Sequence, residues 1–110
     1  MIEEIVKTYL QNATNTRVGM TTPTNVAGEF IVIKVKQRTL ENQIDGVTLE
    51  FDSYSDDVFG AATLDEAVRN AMKNIDDLPE ILSAEFGGGD DNLDSTLKKP
   101  RYRCYFNITY

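Results

Sequence analysis

The stretch from Glu85 to Tyr102, EFGGGDDNLDSTLKKPRY, gathers the residues of this sequence best suited to chemistry. Gly87, Gly88 and Gly89 precede Asp90, Asp91, Asn92 and Asp94, and a basic run of Lys98, Lys99, Arg101 and Arg103 follows. A phosphate cradle needs glycines that open onto a helix N-terminus, usually with a lysine and a hydroxyl close behind. Here carboxylates follow the glycines and would repel a phosphate. A calcium loop needs spaced oxygen ligands closed by a bidentate glutamate. The aspartates are close together, but that spacing and that glutamate are missing.

Histidine is absent altogether. This removes the commonest general base and the commonest zinc ligand. A Ser-His, Cys-His or histidine-zinc hydrolase mechanism cannot be built from such a chain. Cys104 is the sole cysteine, so no intramolecular disulfide forms. It alternates with polar neighbours in a strand pattern and reads as a small core residue. Asp56–Asp57 and Asp76–Asp77 are paired carboxylates, which can divide acid and base roles when their pKa values are pushed apart. One pair opens a helical pattern and the other closes it, so capping and solvation account for them. The expectation is a chain with no catalytic, cofactor-binding or metal-binding residues, and therefore not an enzyme.

What remains for the glycine stretch is a long flexible connection over about 87–100. Loops of that length are uncommon in compact domains. Two readings stay open: an arm that orders on a partner chain, or a solvated loop. The basic run, with Lys34, Lys36 and Arg38, suggests a positive sheet face. Such a face suits phosphate contact or acidic patches on identical neighbours, unless its charges only solubilise. The candidate contact residues are Gly87, Gly88, Gly89, Asp90, Asp91, Asp94, Lys98, Lys99, Arg101, Arg103, Lys34 and Lys36.

These side chains must be positioned by one domain, because 110 residues support a single modest core. Hydrophobic content of 41% and charged content of 26% are ordinary for a globular protein. A formal net charge of −7 argues against broad nucleic-acid or anionic-membrane binding. No apolar run reaches membrane-spanning length, and the acidic start MIEEIVKTYL lacks the basic and apolar regions of a signal peptide, which implies a cytoplasmic chain.

Residues 2–13 place Ile2, Ile5, Val6, Tyr9, Leu10 and Ala13 at helical spacing. A short strand is expected over 17–21, followed by a turn at Thr22, Pro23, Thr24 and Asn25. Residues 29–38 and 44–54 alternate as strands joined by a hairpin. Setting Ile33 opposite Phe51 puts Val35 opposite Leu49 and Lys34 opposite Glu50, which satisfies both faces. The outward Lys34–Glu50 pair is expected to contribute only ~0.5 kcal/mol. Residues 56–75 form the longest helical pattern, with Ser55 and the following aspartates at its start. Residues 81–86 and 101–110 read as two more strands. The expected fold is α+β in the order α-β-β-β-α-β-β, an antiparallel sheet with two helices on one face and a polar second face.

Asn42, Ile44, Asp45, Leu49, Ser53 and Tyr54, hydrophobic positions with a few polar anchors, follow the spacing N-x-I-D-x-x-x-L-x-x-x-S-Y. Ala61, Leu64, Val68, Ala71 and Met72 then follow A-x-x-L-x-x-x-V-x-x-A-M, and Arg101, Tyr102, Arg103, Ile108 and Tyr110 close the chain. Over residues 29–110 this resembles the small tail proteins of long, non-contractile-tailed bacteriophages, the tail terminators or tail-to-head joining proteins. The resemblance implies a virion tail protein, assembled in the host cytoplasm, that forms a homo-oligomeric, hexameric ring. It implies contact with the tail tube protein and with a head connector or head-completion protein, no cofactor, no membrane, and DNA only in passage through the lumen. Other minor tail or head-completion roles, or a monomeric protein-binding module of the same fold, are the alternatives.

Overall fold

The computed structural model describes residues 2–21, 28–41, 43–94 and 99–110, the side chains of 91–94 excepted. The turn expected at Thr22 to Asn25 lies outside the described residues, as does Lys98. The elements run α1 (Ile2–Thr14), β1 (Arg17–Gly19), β2 (Phe30–Glu41), β3 (Ile44–Tyr54), α2 (Val58–Lys73), a single 3₁₀ turn (Ile75–Asp77), β4 (Ser83–Asp94) and β5 (Lys99–Thr109). The fold is α+β, with a five-stranded sheet in the order β1-β2-β3-β5-β4.

The apolar spacing of α1 buries Ile2, Val6 and Leu10, and Glu3 and Glu4 occupy its first turn where the helix dipole favours acids. The start of α2 is set by Asp57, whose carboxylate accepts from the Gly60 backbone N–H at 2.5 Å. Its buried stripe is Ala61, Leu64, Val68 and Met72, while Val58 lies outside the stripe and is exposed. The helix ends at Lys73, and Ile75 enters the core from the 3₁₀ turn that leads toward Pro79. Both helices pack on one side of the sheet, against Ile31, Ile33, Leu49, Phe51, Cys104, Phe106 and Ile108. They are tied to each other by the Tyr9 hydroxyl, which donates to the Ala71 carbonyl at 2.8 Å.

The hairpin register is the expected one: Ile33 opposite Phe51, Lys34 opposite Glu50 and Val35 opposite Leu49. Three features differ from expectation. First, β1 runs parallel to β2, so the sheet is mixed rather than antiparallel throughout. The long 20–29 connection allows this, because it need not close a tight hairpin. Second, a bulge between Val35 and Gln37 inserts Lys36 into β2. It turns Arg38 to the helix side, where its Nη2 donates to the Glu3 carboxylate at 2.6 Å. Third, β4 extends to Asp94 and β5 begins at Lys99, so most of the expected 87–100 loop is paired strand. Pairing with β5 supplies the order that the glycines and aspartates do not favour by themselves.

Candidate interaction surface

The sheet side away from the helices is built by β3 flanked by β2 and β5. One row across it holds Val32, Asp52, Arg103 and Asp90, and the next holds Lys34, Glu50 and Tyr105. Glu50 and Asp52, on the central strand, are 1% and 0% exposed. Long side chains from the neighbouring strands cover them. Arg103 Nε donates to Asp52 Oδ1 at 2.8 Å and lies 3.1 Å from Glu50 Oε2. Lys34 Nζ stands 3.3 Å from Asp52 Oδ2 and 3.8 Å from Glu50 Oε2, and Lys36 Nζ stands 3.7 Å from Glu50 Oε1.

Lys34, Lys36 and Arg103 therefore do not form a free positive face. Two buried carboxylates hold all three. Burial raises the Glu50 pKa, and hydrogen bonding and repulsion from Asp52 add to the rise against the pull of Arg103 and Lys34. Arg103 is raised chiefly by its hydrogen bond to Asp52. Glu50 and Asp52 were not candidates in the sequence. The usable signal was their place on the middle strand, where an outward row is flanked by long side chains on both sides.

This face is also less polar than expected. Phe30, Val32 and Tyr54 form a second buried cluster there, with the Phe30 and Tyr54 rings stacked at 4.6 Å between centroids. Lys99 closes this end of the face. Its Nζ bonds the Asp56 carboxylate at 2.5 Å and lies 6.0 Å from the Phe30 ring centroid. That bond, the Gly28 N–H and the Lys99 charge together depress the Asp56 pKa. Arg101 lies beside Tyr54 in the same register.

The glycine run divides by position. Gly87 is the extra residue of a β4 bulge, Gly88 has φ +125° and Gly89 pairs with Cys104. A Cβ on Gly89 would stand 2.6 Å from the Arg103 carbonyl oxygen and would also strike the Arg69 guanidinium. That guanidinium lies 4.8 Å from the Phe86 ring centroid, and Arg69 Nε is 2.8 Å from Asp65 Oδ2. Burial raises the Asp65 carboxyl, the adjacent Arg69 opposing it. Burial also pushes the Cys104 thiol far above its ordinary value, with Asp65 adding to the effect, so Cys104 stays a protonated core residue. Asp90 is exposed on β4, and the backbone of Asp91 and Asp94 belongs to the same strand.

Sequence reading missed where the exposed apolar side chains gather. Val35 and Leu40 lie on β2, Phe86 lies on β4, and Leu82 lies just before β4. Val35 and Leu40 lie beyond the stretch of β2 that pairs with β1, and β4 is the last strand on the other side of the sheet. Val58 and Phe59 at the start of α2, Met20 after β1 and Ile44 at the hairpin tip are the other large exposed apolar residues. A separate groove of about 650 Å³ runs beside α1, lined by Glu4, Ile5, Tyr9, Asn12, Leu78 and Glu80 among others. Among the described residues, no helix is long and apolar enough to cross a membrane. Neither a protein-family model nor a curated protein matches this chain.

Proposed function

We propose that the chain is a structural, non-enzymatic subunit of a bacteriophage tail. In this reading it is a terminator that assembles as a ring on the last layer of the tail tube, ends tube growth and presents a surface to the head connector. The spacing of residues 42–72 and 101–110 points to the tail proteins. The observation that carries assembly is the exposure of large apolar side chains on and around the sheet, Val35 and Leu40 on β2 and Phe86 on β4. A net charge of −7 suits a ring through which DNA passes without adhering.

Light scattering on the free protein, and again with tube protein added, tests this. A ring-sized species in either condition supports the reading, and a strict monomer in both counts against it. The groove beside α1 favours a second reading, a monomeric module that binds a protein segment. Monomeric behaviour in both conditions would favour that alternative.

A further inference from the structure

We propose that the groove beside α1 binds a short amphipathic helix of another protein, one whose apolar stripe is flanked by lysines or arginines. Such binding is independent of the ring reading and gives the second reading above its partner. α1 presents two rows of side chains to the groove. Ile5 and Tyr9 lie beside the buried stripe of Ile2, Val6 and Leu10, and Glu4 and Thr8 form the next row outward. Leu78 and Glu80, on either side of Pro79, supply the other wall. The α1 wall runs from Glu4 to Ala13. Over that span a helix rises ~14 Å, enough to seat two turns of a second helix.

The walls select the occupant. Ile5, Tyr9 and Leu78 are half-buried, and Tyr9 and Leu78 pack against the core from one side. Covering their other side takes apolar side chains, which recur every three or four residues along an amphipathic helix. The charged residues on the walls, Glu4 and Glu80, are both exposed acids, and among the described residues no lysine or arginine lines the groove. Asp76 and Asp77 lie just before Leu78, in the 3₁₀ turn. Burial, then the charges of Asp77 and Asp76, hold the Tyr9 hydroxyl above its ordinary pKa, so their negative potential reaches the groove. Basic flanks on the occupant complement these acids, and acidic flanks are repelled. A second copy supplies no such helix. α1 carries Glu3 and Glu4 against Lys7, and α2 carries Asp65 and Glu66 against Arg69 and Lys73.

The test uses three dye-labelled peptides: a helix with a leucine stripe and lysine flanks, the same helix with glutamate flanks, and a scramble of the first that breaks the stripe. Fluorescence anisotropy measures binding, and amide NMR shifts locate it. The lysine peptide is expected to bind at least roughly tenfold more tightly than the other two, with shifts at residues 4–13 and 78–80. Glu4→Lys and Glu80→Lys are each expected to weaken it roughly five- to tenfold. Glu66→Lys makes the same charge change at an exposed position of α2 off the groove, and is expected to weaken it less than about twofold. Ile5→Ser removes apolar wall without changing charge and is expected to weaken binding roughly tenfold. Circular dichroism checks that each variant folds.

An equal loss of binding with Glu66→Lys would mean that the peptide follows net charge alone, and overturns the proposal. Equal binding of the glutamate peptide or the scramble overturns it, as does no binding by any of the three. A dimer by light scattering that Ile5→Ser dissolves would seat a second copy in the groove, and overturns it too. A ring whose groove binds none of the peptides leaves the ring reading standing. Binding of the lysine peptide by a strict monomer supports the groove and counts against the ring.

Discussion

Glu50 shows how position in a sheet changes what a side chain does. On an outer strand, a glutamate opposite a lysine is a solvated pair of little energetic consequence. On β3 the same pair is enclosed by Arg103 and Lys36, and the carboxylate loses its water. One oxygen of Glu50 is buried with no hydrogen-bond partner among the described residues. The partner of Glu50 was legible from the hairpin register, but its burial was not. Burial depended on β5 lying next to β3, a long-range pairing that alternation within one strand cannot reveal. Because folding raises the Glu50 pKa above its ordinary value of 4.5, its contribution to stability is fully present below that value. It is lost as pH rises through the folded pKa. Gln cannot titrate and keeps the shape. Glu50→Gln should therefore gain stability relative to the parent as pH is raised from about 4 to 7, read by urea denaturation at several pH values. Parallel curves for the two proteins across that range would show that Glu50 ionises as freely in the fold as in the unfolded chain.

At the scale of elements, the amphipathic helices and the β2–β3 hairpin could be read directly, since each carries its own period of apolar residues. The far half of β4 could not. GGGDDNLD has one apolar side chain and no β-branched residue, so nothing local distinguishes it from a loop. Its order comes from β5, which is rich in aromatic residues and pairs with it across the whole length. Alanine at each glycine separates a strand from a flexible connection. In a flexible loop all three substitutions would stabilise by ~0.4–1 kcal/mol, through the unfolded chain. In the strand their effects diverge. Gly88→Ala should cost ~1–3 kcal/mol, because φ +125° is a conformation essentially reserved for glycine. Gly89→Ala should cost ~1–3 kcal/mol by overpacking against Arg69 and the Arg103 carbonyl. At Gly87 the nearest atoms are 3.3 Å or more from a new Cβ, so Gly87→Ala should change stability by less than ~0.5 kcal/mol. Denaturation midpoints of the three variants decide between the two descriptions, and a uniform small gain would return the segment to a loop.

For the molecule as a whole, net charge opposes the meeting of copies, and salt decides how far that repulsion reaches. Each chain carries −7, which resists association. The chain measures 42 × 23 × 21 Å, so most of the charge on two touching copies is separated by more than the ~8–10 Å screening length of 0.10–0.15 M salt. At about 0.01 M that length is ~30 Å, and the net repulsion reaches across the whole pair. Contacts made by exposed apolar side chains such as Val35, Leu40 and Phe86 do not depend on charge at all. Self-association should therefore strengthen several-fold as salt rises from about 0.01 to 0.15 M, and change little beyond. Sedimentation velocity across that series measures it. Association that instead falls steeply with added salt would mean that charge pairs hold the copies together. Apolar contact would then have no leading part in assembly.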